Sequence, residues 1–314
     1  MVAIGIDIGG TSIKGAAVKS NGKIFEGFSM PVNKWESSET CIRKLTVMVQ
    51  NYIERHQLAD KIEGIGIGIP GTLDISSGTI NYANNLRWEN VRIVDLMHEI
   101  LPYQIKIMND ANASALGEAR FGAGKHHPTV VVITLGTGVG GAAVIDGKII
   151  EGNESKGGEL GHMTIVVDGE MCTCGRRGCL EAYASATALT RDTKKAMLKN
   201  RDSLMWKLAP ELNFVDGTVP FGAAKQGDPT ALKIIDNFVK YLSEGLLNYC
   251  NIFRPNVIVL TGGIANAGEI LFSRVNRYLR AYNYGYKFTP KVEVIPATLG
   301  YDAGKIGAAA LFFD

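Results

Sequence analysis

Two segments of the chain repeat the same order of residues. Residues 9–27 and 136–152 each contain a glycine-rich turn, then Gly-Ala-Ala-Val, then a second turn and Gly-Lys-Ile-x-Glu-Gly. A strand precedes each copy, Val2–Ile8 in the first and Val130–Leu135 in the second, so each copy predicts a β-hairpin with a glycine tip followed by another hairpin. Repetition on this scale indicates a duplicated domain.

The glycine tips are suited to hold phosphate groups. Glycine lets backbone N–H groups approach an anion with no side chain in the way. One such turn is more often only a tight hairpin, but two turns, one in each half, can hold a polyphosphate between the halves. A third pair, Gly262-Gly263, follows a strand and precedes a helix, which is either an ordinary turn or a nucleotide seat. The candidate phosphate-binding residues are Asp7, Gly9, Gly10, Thr11, Lys14, Gly136, Thr137, Gly138, Gly262 and Gly263.

The rest of the chain alternates strands with helices. In the predicted buried strand Gly64–Ile69, glycine alternates with isoleucine, so we expect another element to pack very close to the glycine face. Helices are predicted over Glu39–Arg55, residues 89–101, Ala111–Phe121, most of Leu180–Phe253 and Asp302–Phe312. We expect a small N-terminal α/β domain over residues 1–109, joined by the C-terminal helix 300–314, and a larger α/β domain over residues 110–299.

Three of the five cysteines lie close together in the larger domain. Cys172, Cys174 and Cys179 follow His162, and the four side chains form a complete ligand set for a structural zinc ion. A disulfide or inert buried thiols are the alternatives, but Cys172 and Cys174 are too close for an unstrained bridge and the Gly-Arg-Arg-Gly turn beside them is polar. Because Glu159 and Glu181 bracket the ligands, a metal here would also fix two carboxylates for a polar substrate.

Asp110 follows a predicted strand and precedes a helix. It is therefore either the N-cap of that helix or a carboxylate at the carboxyl end of a sheet, where α/β proteins bind ligands. Its place beside two phosphate turns favours the second interpretation. A kinase acting on a hydroxyl group needs a carboxylate to accept the proton as the γ-phosphoryl group leaves ATP, and Asp110 is the best-placed candidate.

The composition is that of a globular α/β protein. At 314 residues the chain is longer than one usual core requires, 46% of its residues are hydrophobic, and its formal net charge is +2. This near-neutral charge indicates no nucleic-acid partner, and no apolar run reaches the roughly 20 residues of a membrane helix. The chain begins directly with a strand, with neither a signal peptide nor a leading DNA-binding segment, so we expect a cytoplasmic location.

Six motifs occur in order along nearly the whole chain. They are Asp7-Ile-Gly-Gly-Thr11 with Lys14, Asn109-Asp110-Ala-Asn-Ala, Leu135-Gly-Thr-Gly-Val-Gly-Gly141, Glu159-Leu-Gly-His162, Cys172-x-Cys174-Gly-x-x-Gly-Cys179-x-Glu181 and Thr261-Gly-Gly263. Together they resemble the ROK family of sugar kinases and sugar-responsive repressors. The resemblance implies the actin-like ATPase (ribonuclease H-like) fold, a duplicated two-domain α/β fold with an interdomain cleft that closes on sugar and ATP.

The resemblance also implies an activity, the transfer of a phosphoryl group from MgATP to the 6-hydroxyl of a hexose, with glucose as the first choice. Asp110 matches the catalytic base, and His162 would bind structural Zn²⁺ through one ring nitrogen and a sugar hydroxyl through the other. The family often has Pro-Gly where this chain has Leu86-Arg87, ahead of Trp88, and this departure leaves the sugar preference open. The implied substrate-binding residues are Gly71, Asn85, Asn109, Asp110, Glu159, His162 and Glu181, and the implied zinc ligands are His162, Cys172, Cys174 and Cys179.

Other functions remain open at this point. A kinase for N-acetylmannosamine, fructose or mannose would need the same motifs, because a choice among hexoses depends on the shape of the pocket. A sugar-sensing repressor would carry a DNA-binding segment ahead of the kinase-like domains. A non-catalytic sugar-binding protein would be favoured only if position 110 had lost its carboxylate, and Asp110 is present. We expect a small-molecule sugar as the partner, together with a homo-oligomer, a dimer or a tetramer, as is common among the relatives.

Overall fold

The computed structural model describes residues 1–313, which form an alternating α/β chain. Its strands are β1 (Val2–Ile8), β2 (Ser12–Lys19), β3 (Ile24–Pro31), β4 (Ile62–Ile69), β5 (Thr72–Asp74), β6 (Thr79–Ala83), β7 (Trp88–Val91), β8 (Ile105–Asn109), β9 (Thr129–Leu135), β10 (Val139–Ile145), β11 (Lys148–Ile149), β12 (Val257–Thr261) and β13 (Glu293–Pro296). Its helices are α1 (Ser38–Arg55), α2 (Ile93–His98), α3 (Asp110–Phe121), α4 (Glu181–Ala184), α5 (Ala186–Lys199), α6 (Met205–Leu208), α7 (Thr218–Lys225), α8 (Pro229–Phe253), α9 (Glu269–Tyr282) and α10 (Ala303–Ala309). Among residues 1–313, none of the helices combines the length and the apolar character that a membrane span needs.

The chain divides into two compact units. Unit 1 consists of Met1–His126, Gly147–Gly157 and the C-terminal segment from Thr298, and unit 2 consists of His127–Asp146 and Gly158–Ala297. Each unit has its own hydrophobic core, built in unit 1 mainly from isoleucines of β1 and β4 with α1, and in unit 2 from β9 and β12 with the long helix α8.

Both units contain the same arrangement of strands, as the sequence repeat predicts. In unit 1, β1 pairs antiparallel with β2 and parallel with β4, and β4 pairs parallel with β8. In unit 2, β9 pairs antiparallel with β10 and parallel with β12, and β12 pairs parallel with β13. The two glycine tips close the hairpins β1–β2 and β9–β10. Because β1 and β8 run in the same direction, Asp7 and Asn109 lie at the same edge of the first sheet.

The glycine face of β4 packs against the last helix, as its sequence predicts. A β-carbon at Gly66 would overlap the carbonyl group of Ala308, and one at Gly5 in β1 would overlap the carbonyl oxygen of Lys305. A β-carbon at Gly307 would in turn overlap the backbone of α3. Helix α10 therefore makes backbone contact with two strands and a helix, and it completes the core of unit 1.

A buried carboxylate fixes the segment that leads into α10. Glu118 in α3 has no exposed surface. Its carboxylate accepts hydrogen bonds from the backbone N–H groups of Ala123 at 3.0 Å, Thr298 at 3.1 Å and Leu299 at 2.7 Å. These donors offset the cost of removing the charge from water. Glu118 therefore fixes Thr298 and Leu299, the first residues of the C-terminal segment of unit 1.

Two boundaries differ from those predicted. Residues 89–101 contain the last three residues of β7 and the short helix α2 instead of one helix, because β7 pairs with β6 and Asn90 has a left-handed backbone with φ of 52°. The sequence predicts a domain boundary between residues 109 and 110, whereas α3 belongs to unit 1, whose first segment continues to His126. The physical reason is the close backbone packing of α3 on α10.

Candidate active site

Two carboxylates lie at the edge of the first sheet. Asp7 is near the end of β1, and Asp110 is the first residue of α3. Burial and then the charge of Asp110 raise the pKa of Asp7 to about 6, against the opposing effect of Lys14 and Lys305. Burial also raises the pKa of Asp110, although hydrogen bonding from the Ala111 N–H stabilises its charged form. Two such carboxyl groups are suited to accept a proton and to bind a cation.

The N-cap of α3 is Asn109, not Asp110. The side-chain oxygen of Asn109 accepts hydrogen bonds from the N–H groups of Ala111 at 2.9 Å and Asn112 at 3.3 Å. Its amide group donates to the carbonyl oxygen of Gly71 at 3.4 Å, and Gly71 has a φ of +103°, which favours glycine. Asn109 thus caps the helix and ties it to the turn after β4, which leaves the Asp110 carboxylate available for chemistry.

The first glycine tip lies beside Asn85. The Gly9 N–H group donates across the turn to the Ser12 carbonyl oxygen at 2.9 Å, and Thr11 is exposed at the tip. A β-carbon at Gly10 would lie 3.4 Å from the β-carbon of Asn85. The ammonium group of Lys14 lies 5.1 Å from the ring centroid of Tyr301. The predicted phosphate turn and the predicted sugar-binding asparagine are therefore neighbours within unit 1.

Leu86-Arg87, which stands where the family often has Pro-Gly, lies in the turn between β6 and β7. Leu86 is buried, and Arg87 has a left-handed backbone with φ of 60°. That conformation costs a non-glycine residue about 1–2 kcal/mol. The Arg87 guanidinium lies 4.7 Å from the ring centroid of the exposed Trp35, and such a contact contributes about 0.5–1 kcal/mol at an exposed position. The stack by itself does not offset the backbone strain.

The four predicted metal ligands converge in unit 2. The ligand atoms of His162, Cys172, Cys174 and Cys179 all lie within 4.8 Å of one another. The Cys172 Sγ is 3.6 Å from His162 Nδ1, and the Cys174 Sγ is 3.7 Å from the Cys179 Sγ. Tetrahedral ligands at the zinc–sulfur bond length are separated by about 3.8 Å. Burial and then hydrogen bonding with Cys174 and Cys172 raise the pKa of Cys179, and a bound cation would stabilise its thiolate form. The cluster therefore fits a tetrahedral metal ion.

Glu181 lies against the second glycine tip. Its Oε2 accepts a hydrogen bond from the Val139 N–H group at 3.0 Å, and its Oε1 accepts one from the Thr173 hydroxyl at 2.9 Å. A β-carbon at Gly138 would lie 3.1 Å from the Glu181 Cδ and closer to Oε2. Glycine at position 138 therefore makes room for this carboxylate, and Glu181, the first residue of α4, is joined both to the glycine tip and to Thr173, between Cys172 and Cys174.

The turn that carries Glu159 and His162 is held from two sides. A β-carbon at Gly161 would overlap the carbonyl oxygen of Val139, so the turn lies directly on β10. From α8, the hydroxyl group of the buried Tyr249 donates to the Leu160 carbonyl oxygen at 2.7 Å. Glu159 itself is exposed. The backbone between Glu159 and His162 is thus fixed while the carboxylate remains accessible.

A cavity of about 720 Å³ in unit 2 adjoins the second and third glycine turns. Gly262 is required by the fold, because its φ is +89° and a β-carbon would overlap the backbone of Leu135. A β-carbon at Gly136 or Gly263 would have no atom within 4 Å, so these two glycines border open space. The volume is that of a small-ligand site. The walls also include residues outside the predicted site, namely Leu208, Asp216, Thr218, Phe221, Lys225 and Ile264.

The predicted site residues are divided between the units. Unit 1 contains the first glycine tip with Asp7 and Lys14, and it contains Gly71, Asn85, Asn109 and Asp110. Unit 2 contains Glu159, Glu181, the four ligands and the other glycine turns. Of the cavity walls, the sequence indicates only a turn at Asp216-Gly217, where the Asp216 carboxylate accepts a hydrogen bond from the Thr218 N–H group at 2.8 Å.

Comparison with known proteins gives the family. The sequence profile of the ROK family matches residues 3–314. The chain belongs to the ROK family. A glucokinase of Thermotoga maritima is 37% identical to this ROK protein over 309 residues, which cover 98% of the chain and 96% of the relative.

Solved structures of the family have the same fold. A ROK family glucokinase from Streptomyces griseus, crystallised in complex with glucose and AMPPNP, matches with a TM-score of 0.79 and 32% identity over 99% of both chains. The ROK hexokinase from Thermus thermophilus matches with a TM-score of 0.82 and 30% identity over 98% of this chain and 97% of that one. This ROK protein therefore has the actin-like ATPase fold that the motifs imply.

Proposed function

We propose that this ROK protein is a glucokinase, which transfers the γ-phosphoryl group of MgATP to the 6-hydroxyl of glucose. The observation that carries the proposal is the half-buried carboxylate of Asp110, whose pKa is raised. Asn109 caps α3, so the Asp110 carboxylate is not needed as the helix cap. The choice of glucose is supported by the glucokinase of Thermotoga maritima and by the glucose bound in the Streptomyces griseus structure.

In this mechanism Asp110 is the general base. It accepts the proton of the 6-hydroxyl group as that oxygen bonds to the γ-phosphorus and the bond to ADP breaks. A raised pKa suits the role, because a more basic carboxylate holds the proton better in the transition state. Asp7 would hold magnesium through water, and the ion when bound would neutralise charge on the β- and γ-phosphates.

The glycine tips and Lys14 would bind the phosphate groups. Backbone N–H groups at Gly9, Gly10 and Thr11 in unit 1, and at Gly136, Thr137 and Gly138 in unit 2, have no bulky side chain to block an anion. The nucleoside would occupy the cavity of about 720 Å³, whose apolar wall contains Leu208, Phe221 and Ile264.

The sugar would be held by carboxylates and amides. We assign its hydroxyl groups to Glu159, Glu181, His162 and Asn85, with Asn109 and Gly71 shaping the site through their mutual hydrogen bond. Structural zinc would be bound by His162, Cys172, Cys174 and Cys179. Since four protein ligands leave no open position, the metal would orient His162 and Glu181 and take no part in the transfer.

Two further expectations rest on the family resemblance and stay predictions. One is a homo-oligomer, which light scattering coupled to size-exclusion chromatography would test. The other is a cytoplasmic location, which fractionation of the source cells would test.

The substrate is tested by ADP release from MgATP with glucose, mannose, fructose, N-acetylglucosamine and N-acetylmannosamine. The highest kcat/KM is expected for glucose. A higher kcat/KM for another sugar would support a kinase with that sugar as its substrate. No ADP release with any of the sugars would contradict the kinase assignment.

The base is tested by Asp110→Asn, which preserves size and removes the proton acceptor. We expect kcat to fall by about a thousandfold, while zinc content and glucose binding are retained. Asp60→Asn, which changes an exposed carboxylate of unit 1, is the matched control and should be fully active. An Asp110→Asn enzyme with wild-type turnover would rule out the assignment.

A further inference from the structure

The turn that presents Asn85 contains a strained residue. Arg87 has a φ of 60°, a conformation that glycine adopts freely and arginine does not. The residues on either side, Leu86 and Trp88, are buried and hold the turn in place. A strained backbone that the neighbouring packing maintains is found most often at functional sites.

The Arg87 side chain does not relieve the strain by burial. Its guanidinium stacks on Trp35 at 4.7 Å from the ring centroid, yet 84% of Trp35 remains exposed. An exposed cation–π contact returns less free energy than the left-handed backbone costs. The pair is thus a solvent-facing aromatic and cationic surface, and its contribution to the stability of the fold does not explain the strained backbone of Arg87.

This surface adjoins the proposed substrate residues. The Arg87 N–H group donates to the carbonyl oxygen of Asn84, in the turn that carries Asn85. The loop of Trp35 is joined to the first glycine tip, because the Val32 N–H donates to the Thr11 carbonyl oxygen at 2.9 Å. The Trp35 N–H is fixed by the side chain of Asn33 at 3.0 Å. All of these contacts lie in unit 1, and together they bring the pair to the margin of the site that Asn85 marks.

We propose that Trp35 and Arg87 form the outer wall of the sugar site and set its substrate range, an inference that rests on the proposed role of Asn85. The indole offers an apolar surface to the C–H groups of a sugar ring, and the guanidinium offers donors to its hydroxyl oxygens. The Arg87 side chain also fills space that glycine would leave open. The wall therefore favours an unsubstituted hexose and excludes one that carries an acetamido group.

Steady-state kinetics with glucose and N-acetylmannosamine test the wall. Trp35→Ala should raise the KM for glucose about tenfold with little change in kcat or in the KM for ATP. Arg87→Gly, which also removes the backbone strain, should raise the ratio of kcat/KM for N-acetylmannosamine to that for glucose at least tenfold without lowering the melting temperature. Arg201→Ala is the matched control, since Arg201 forms a similar stack on Trp206 in unit 2, and it should change neither value.

Tryptophan fluorescence tests the contact without turnover. Of the three tryptophans, Trp35 is the most exposed and Trp88 is buried, so glucose alone should change the emission of the wild type and of Arg201→Ala but not of Trp35→Phe. If the wild type is active and the Trp35 variants have the same kinetics and the same fluorescence response to glucose, the proposed role of Trp35 is refuted. The kinase assignment would then still stand. A wild type that releases no ADP would reject the kinase, and the fluorescence titration would then decide whether Trp35 contacts sugar.

Discussion

Gly138→Ala moves one carboxylate of the proposed sugar site without removing it. A β-carbon at this position would lie 3.1 Å from the Glu181 Cδ and closer to Oε2. Because these atoms belong to the far end of a flexible side chain, the carboxylate is expected to move rather than the backbone. A displacement of roughly 1 Å restores an ordinary contact distance.

That displacement breaks the hydrogen bond from the Val139 N–H group to Glu181 Oε2, which is 3.0 Å long. A hydrogen bond to a charged group contributes about 1.5–3 kcal/mol. If about 2 kcal/mol of sugar-binding free energy depends on the position of this carboxylate, the KM for glucose rises about thirtyfold. The value of kcat should change little, since Asp110 lies on another element.

The assay is ADP release at saturating ATP with glucose varied, and then at saturating glucose with ATP varied. Gly136→Ala is the matched control, because its β-carbon would have no protein atom within 4 Å. It should leave the KM for glucose unchanged and raise the KM for ATP, if the open space there holds phosphate. A wild-type KM for glucose in Gly138→Ala would refute the proposed role of Glu181.

Three further predictions concern protonation, metal and positioning. Because the pKa of Asp7 is raised to about 6, the folded state binds this proton more tightly than the unfolded state, so its contribution to stability decreases as pH rises from about 4 to 6. Asp7→Asn should therefore be about 2–3 kcal/mol more stable than the wild type at pH 8 without magnesium and equal to it near pH 3.5 in urea unfolding; a difference independent of pH would contradict the shift. Elemental analysis should find zinc in the wild type and in Cys250→Ser, which changes another buried cysteine, but not in Cys179→Ser. Tyr249→Phe removes the hydrogen bond to Leu160 and should raise the KM for glucose several-fold with zinc retained, since one such bond contributes about 1 kcal/mol; an unchanged KM would show that the turn holds without it.

The repeated hairpins and the clustering of His162 with three cysteines could be predicted because their signals are local. Glycine tips follow short apolar strands, and the spacing of Cys172, Cys174 and Cys179 describes a ligand set directly. The close approach of an element to β4 was also predictable, since glycine occupies one face of that strand.

The features that escaped prediction depend on contacts between distant residues. Nothing near Glu118 indicates that its carboxylate will hold Thr298 and Leu299, and nothing near Gly138 indicates that Glu181 will lie against it. Asp110 shows the same limit, because either Asp110 or Asn109 could cap α3 and only the folded backbone selects Asn109. The cavity walls likewise come from separate segments.

The position of α10 has a consequence for the order in which the protein is made. Residues 303–309 leave the ribosome after all of unit 2, yet the sheet of unit 1 is in backbone contact with them. Unit 2 can complete its core during synthesis, whereas the core of unit 1 stays incomplete until α10 has been translated. A β-carbon at Gly304 would lie 2.9 Å from the Asp7 Cγ, so the surroundings of Asp7 are also completed last. A nascent chain interrupted before residue 303 would thus combine a folded unit 2 with an open glycine face on β1 and β4, the state that chaperones and proteases would recognise.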